Sequence, residues 1–140
     1  MKRPHHGSVL MLMPAGVLIV ILLGAIAFDL SVVFLRQRQT SSAAGDAAND
    51  LATLAVDEAE YRATGTFQLS PRRAEEIGRR LLAESDIAQH ITRIDVRVPY
   101  PDTVEVTVEV RVDYIFAKAI PGARHHTEVH ATATAVSATG

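Results

Sequence analysis

The amino-acid sequence predicts an α+β fold, in which a long N-terminal helix and a second helix cover one face of a three-stranded antiparallel sheet. Three observations lead to this prediction: an uncharged apolar run near the N-terminus, an alanine-rich stretch of helical periodicity after it, and strict apolar–polar alternation in the second half of the chain. A sheet with one apolar face needs a cover, and the two helices supply it.

The apolar run begins at Val9 and ends at Phe28. At 1.5 Å per residue a helix of this length covers about 30 Å, the thickness of the hydrocarbon core of a bilayer. We therefore expect a membrane-spanning helix over 8–29, preceded by a short basic leader over 1–7. Positive charges in that leader favour its retention in the cytoplasm, so we expect the C-terminal part of the chain on the other side.

Ala25-Ile26-Ala27 resembles a signal-peptidase site, and cleavage after Ala27 would release a small secreted domain. The apolar run is longer than the roughly 7–15 residues of a typical signal peptide, which favours a permanent anchor.

Two residues interrupt the apolar character of this segment. Pro14 removes one backbone hydrogen bond and is expected to kink the helix, either as a tolerated bend or as a bend used in packing against partner helices. Asp29 follows the run directly, and a carboxylate beside hydrocarbon is a functional candidate. Because a span that ends at Phe28 already satisfies the bilayer thickness, we expect Asp29 to be solvated at the outer headgroup level.

We expect the helix to extend beyond the membrane over 30–62, because no proline interrupts this stretch. Small apolar residues recur there at helical spacing and allow close packing on a sheet or on another copy of the chain. They are Ala43, Ala44, Ala47, Ala48, Leu51, Ala52, Leu54, Ala55 and Ala59.

Residues 63–140 predict a small α+β domain outside the membrane. After a loop around Gly65, Ser70 and Pro71 provide an N-cap and a first helical residue, and the helix should run to about Glu84. Three strands follow over 91–98, 103–116 and 126–137.

The second strand has the clearest pattern of the three, with apolar side chains at every even position from Val104 to Phe116. Pro121-Gly122 is a pair typical of the centre of a type II turn, so the second and third strands should form a hairpin. Alanines on the third strand leave room for a helix to lie close.

Composition and motifs give no indication of catalysis. The chain has 140 residues, 14 Lys and Arg against 16 Asp and Glu, and no Cys, so neither a nucleic-acid-binding surface nor a thiolate metal site is expected. We find no nucleophile elbow, phosphate loop or paired carboxylates, and predict no catalytic residues and no cofactor.

A metal site on the last strand is not expected either. His126 and His130 lie four residues apart, about 13 Å along a strand, which is too far to share one ion. We interpret these histidines as part of an exposed polar sheet face.

The order of features in the first fifty residues resembles the TadE/TadG-like proteins of tight-adherence (Flp-type IV) pilus systems of bacteria. A basic leader ends in Gly7-Ser8, an apolar run with an early Pro14 ends in Asp29, and an Ala/Asp-rich tract follows over 43–52. The resemblance covers residues 1 to about 56, and the strand-rich remainder matches only in general, pilin-like shape.

The resemblance implies a single-pass protein of the bacterial cell membrane, a minor pilin or pseudopilin whose partners are lipid and other pilus-assembly proteins. A prepilin peptidase can cut such proteins after a glycine, which corresponds to cleavage between Gly7 and Ser8. Processed members usually carry Glu at the fifth residue after the cut, where this chain has Leu12, so the chain is more similar to the anchored TadG-like proteins. The alternative function is a membrane-tethered module whose exposed sheet face binds an envelope ligand.

Overall fold

The structure is a computed structural model that describes residues 7–137 of the chain, with side chains described from residue 12 onward. The first helix, α1, runs from Gly7 to Leu54 without interruption. It is followed by the short α2 (Glu58–Thr64), by α3 (Pro71–Ala83) and by the strands β1 (Ile91–Tyr100), β2 (Thr103–Asp113) and β3 (His126–Val136). The predicted α+β fold is confirmed.

The three strands form one antiparallel sheet in the order β1-β2-β3. The alternation along β2 determines which face is apolar, because its even-numbered valines are all buried and its odd-numbered residues lie on the opposite face. β2 pairs with β3 without irregularity from Thr103 opposite Val136 to Asp113 opposite His126. The apolar face is therefore regular along the whole hairpin.

The helices form a second layer on that apolar face. α1 lies over β2 and β3, and α3 packs beside it over β1. The small residues of β3 permit this close approach, since Ala131 and Ala135 are buried beneath the helix layer. Gly78 of α3 serves the same purpose, because a Cβ there would lie 3.0 Å from Val96 Cγ2 and 3.1 Å from Leu51 Cδ1.

The prediction that one helix continues to residue 62 is wrong, because α1 ends at Leu54. Val56 instead forms an isolated bridge with Leu69, and Asp57 begins a new helix. The Asp57 carboxylate accepts hydrogen bonds of 3.1 Å from the backbone N–H groups of Ala59 and Glu60. These bonds satisfy free donors of the new helix, so the chain turns there without Gly or Pro.

Two smaller features also differ from the predictions. β2 ends at Asp113 rather than residue 116, so Tyr114 and Phe116 are not inward-facing strand residues, and Phe116 is exposed. Ser70 occupies the N-cap position of α3, but its hydroxyl makes no capping hydrogen bond. The predicted turn at Pro121-Gly122 is confirmed, since Gly122 has φ +81° and Ala123 N–H donates to the Ile120 carbonyl.

The packing predicts that Leu51 holds the helix layer to the sheet. Leu51 is fully buried, whereas Leu54, one turn further along α1, is 52% exposed. We expect Leu51→Ala to lower the free energy of unfolding by about 2–5 kcal/mol, because it removes buried methyl groups and leaves a cavity.

The matched control is Leu54→Ala, which should change that free energy by less than about 0.5 kcal/mol. Urea unfolding in detergent micelles, followed by circular dichroism, measures both. Equal effects of the two substitutions would show that this side of α1 does not form the core.

Candidate functional site

The first part of α1 is the most unusual surface of the molecule. Between residues 12 and 28 every side chain is exposed except Ala25, which is half-buried, and nearly all of them are apolar. The helix is long and apolar enough to cross a membrane. Because so much apolar surface is unfavourable in water, this segment is suited to anchoring the protein in a bilayer.

α1 continues through Pro14 as a helix. The carbonyl that Pro14 leaves without its backbone donor lies within the apolar segment, where lipid-embedded helices tolerate such a residue through local adjustment. Met13, Pro14, Val17, Leu18 and Ile21 line a shallow apolar groove on the helix surface. This groove is a surface that a neighbouring helix could pack against.

Asp29 marks the junction between the apolar segment and the sheet domain. Its side chain is buried, with 7% exposure, so the expectation that it is solvated is wrong. The carboxylate lies against the connection between β2 and β3, where it accepts four hydrogen bonds from three consecutive backbone N–H groups. These are Ile115 N to Oδ1 at 2.8 Å, Phe116 N to Oδ1 at 3.1 Å and to Oδ2 at 3.2 Å, and Ala117 N to Oδ2 at 2.9 Å.

This arrangement provides hydrogen-bond partners both for the buried carboxylate and for backbone N–H groups of the connection. Residues Ala117–Ala119 form a 3₁₀ turn whose first N–H groups have no partner within the turn. The carboxylate supplies that partner, and charge-assisted hydrogen bonds of this kind are stronger than neutral ones. Asp29 therefore holds the β2–β3 connection against α1 at the end of the apolar segment.

An aromatic contact strengthens the same junction. The rings of Phe28 and Phe116 meet edge to face, with centroids 5.5 Å apart and planes at 89°. Edge-to-face pairs of this geometry contribute about 0.5–1.5 kcal/mol beyond the area they bury.

The base of the β2–β3 connection carries a small charged network. Asp113 accepts a 3.4 Å bond from Lys118 Nζ and a 3.3 Å bond from Arg111 Nε. Partial desolvation raises the pKa of Asp113, but Lys118 and Arg111 outweigh it, and the pKa lies below its ordinary value. Asp113 is thus ionised at neutral pH and restrains the start of the connection.

The histidines of β3 lie on the exposed face, as expected from the alternation. His126 Nδ1 lies 3.2 Å from the Arg111 guanidinium, and His130 is on the same exposed face. Within residues 7–137, no three His, Cys, Asp or Glu side chains lie close enough together to hold a metal ion.

A second cleft lies between α1 and the chain that follows α3. Its lining is acidic, with Asp46 and Asp50 on one side and Glu84 and Asp86 on the other. These carboxylates are surface groups around an open groove, and the arrangement does not indicate a particular ligand.

The remaining predicted site residues fall at the edge of the described part of the chain. Gly7 is the first residue of α1, and Ser8 and Val9 follow within it, but their side chains lie outside the described region. The other leader residues, 1–6, lie wholly outside it. Sequence reasoning singled out Phe28 and Asp29 but missed their partners, because no local pattern links residues 28 and 29 to 115–117.

Comparison with models of known protein families, with characterised proteins and with solved structures finds no match for this chain. The functional interpretation therefore depends on the apolar helix and its junction with the sheet.

The junction predicts a specific effect of removing the charge of Asp29. We expect Asp29→Asn to lower the free energy of unfolding by about 1–3 kcal/mol, because an amide offers one acceptor oxygen where the carboxylate offers two. Hydrogen exchange at the amides of Ile115, Phe116 and Ala117 should accelerate about tenfold for each 1.4 kcal/mol lost locally.

Asp50→Asn is the control, since Asp50 is exposed on the same helix. The role assigned to Asp29 is refuted if the three amides exchange at the same rate in Asp29→Asn as in the unaltered protein.

Proposed function

We propose that this chain is a single-pass, membrane-anchored protein similar to minor pilins and pseudopilins, which takes part in assembling a tight-adherence (Flp-type) pilus or in secretion through that machinery. Its role is structural and depends on interaction with other proteins. The observation that carries the proposal is the continuity of α1, which is an exposed apolar helix in its first part and the core helix of the sheet domain in its second.

The shape of the molecule supports this role. An exposed apolar helix that continues into a small sheet domain can pack against other helices in a membrane or filament while displaying the domain outside. The order of leader, apolar run, Asp29 and Ala/Asp-rich tract, which resembles TadE/TadG-like proteins, points in the same direction.

The proposed orientation places the N-terminus in the cytoplasm and the sheet domain outside the cell membrane. Lys2 and Arg3 precede the apolar run and favour retention on the cytoplasmic side. The polar face of the sheet then lies in an aqueous compartment.

A helix-exchange experiment tests the proposal. In a host that carries the matching pilus genes, deletion of this protein should abolish or strongly reduce surface pili. Replacing residues 12–28 by an unrelated Leu/Ala span of equal length retains the anchor but changes the helix surface, so the protein should remain in the membrane without restoring pili. The intact mass of the purified protein shows whether it begins at Met1, Ser8 or Phe28.

The control is the unaltered gene, which should restore pili. Full restoration by the exchanged helix would contradict a structural role of α1 and favour a tethered binding module. Normal pili after deletion would refute the proposed function, and a mass beginning at Phe28 would refute the permanent anchor.

A further inference from the structure

We infer that the β2–β3 connection and the adjoining part of α1 form a collar that inserts into the outer headgroup layer of the bilayer. We call this surface the membrane-proximal collar; it consists of Leu30, Phe34 and Leu35 on α1 and of Ile115, Phe116 and Ile120 on the connection. All six side chains are large, apolar and between 46% and 71% exposed. The inference rests on the membrane anchoring in the proposed function and goes beyond it by assigning a second lipid contact.

The collar surrounds the helix at one level. Val32 and Val33 of α1 pack against the protein core, so Leu30, Phe34 and Leu35 face the other way. On the sheet side, Asp29 and Phe28 hold Ile115 and Phe116 beside the end of the apolar segment. A single protein partner would cover either the collar residues of α1 or those of the connection, whereas a bilayer surrounds the molecule and contacts both sets.

The height of the collar matches the headgroup layer. Residues 30 to 35 rise about 7.5 Å along the helix. The interfacial layer on each side of the hydrocarbon core is about 5–8 Å thick. Polar residues begin directly afterwards with Arg36-Gln37-Arg38-Gln39, at the height where aqueous solvent would start.

The backbone N–H groups of the three apolar collar residues on the connection all have hydrogen-bond partners. Asp29 satisfies the N–H groups of Ile115, Phe116 and Ala117, and Ile120 N–H donates to the Ala117 carbonyl at 3.1 Å. Because unsatisfied backbone groups are what make loops costly near hydrocarbon, these bonds make shallow insertion of this loop feasible. In the collar, the Asp29 carboxylate therefore serves to satisfy backbone N–H groups that would otherwise face the headgroup layer.

Fluorescence quenching in vesicles tests the collar. The chain has no Cys, so single cysteines at Ile120, Val20 and Tyr100 can each carry an environment-sensitive NBD label. The vesicles contain phosphatidylcholine with a minor fraction of phosphatidylglycerol, with or without doxyl-labelled lipid. Tyr100 is the matched control, because it is exposed at the end of β1, next to the hairpin turn and at the opposite end of the sheet from the collar.

We expect the label at Ile120 to shift its emission to the blue and to lose intensity with doxyl groups near the lipid headgroups. The label at Val20 should lose intensity with doxyl groups deep in the acyl chains, and the label at Tyr100 should show neither effect. Circular dichroism and the membrane-bound fraction of each labelled protein show that it is folded and inserted.

Each other outcome overturns the collar in a recognisable way. Quenching at Val20 without quenching at Ile120 would refute the collar and leave the anchor intact. A blue shift at Ile120 without quenching by lipid would mean that protein covers it, and equal quenching at Ile120 and Tyr100 would mean that the domain lies flat on the membrane. Absence of quenching at Val20 would refute the anchoring itself.

Discussion

The four hydrogen bonds that Asp29 accepts determine how the apolar helix and the sheet domain are joined. A buried carboxylate without partners would be strongly unfavourable, and here three consecutive backbone N–H groups of the β2–β3 connection provide them. The same bonds satisfy the N–H groups of Ile115 and Phe116, which lead into the 3₁₀ turn, and of Ala117, its first residue. Burying either the carboxylate or these N–H groups without the other would be unfavourable. Their mutual hydrogen bonding therefore fixes the position of the β2–β3 hairpin along α1.

The rest of the domain follows from that attachment. β3 runs from the junction along α1 in the same direction as the helix, and the Gln37 side-chain amide donates to the His130 carbonyl at 3.0 Å further along. Beyond that point the alanines of α1 and the valines of β2 form the core. Because α1 is one uninterrupted helix, the sheet domain is attached rigidly to the segment suited to the bilayer, rather than through a linker.

The regular elements of the fold could be predicted from the sequence because each depends on a local pattern. Valines at alternate positions define β2 and its buried face, and the N-terminal apolar run has the length and composition of a membrane span. The end of α1 was missed although a local signal exists: Asp57 with Glu60 three residues later matches the spacing of a helix-capping pair. The lack of a proline over 30–62 therefore does not ensure that one helix continues through that stretch.

The environment of Asp29 could not be predicted in this way. Its partners lie 86 to 88 residues away, and the donors are backbone N–H groups, which every residue except proline carries. The side chains at 115–117 therefore form no pattern that predicts the contact with Asp29. The position of Phe116 could not be predicted either. β2 ends at Asp113, so the alternation does not extend to residue 116, and the ring of Phe116 instead contacts that of Phe28.

The distance between two spin labels on α1 tests most directly whether the helix is rigid across the junction. Cysteines at Val20 and Asp46 lie at exposed positions on either side of Asp29, and the chain offers no competing thiol. In lipid nanodiscs the double-labelled protein should give a narrow distance distribution centred near 39 Å, the rise expected for a continuous helix. A broad distribution, or one centred well below that value, would show that the helix bends or breaks at the membrane surface, and would contradict the rigid attachment of the sheet domain.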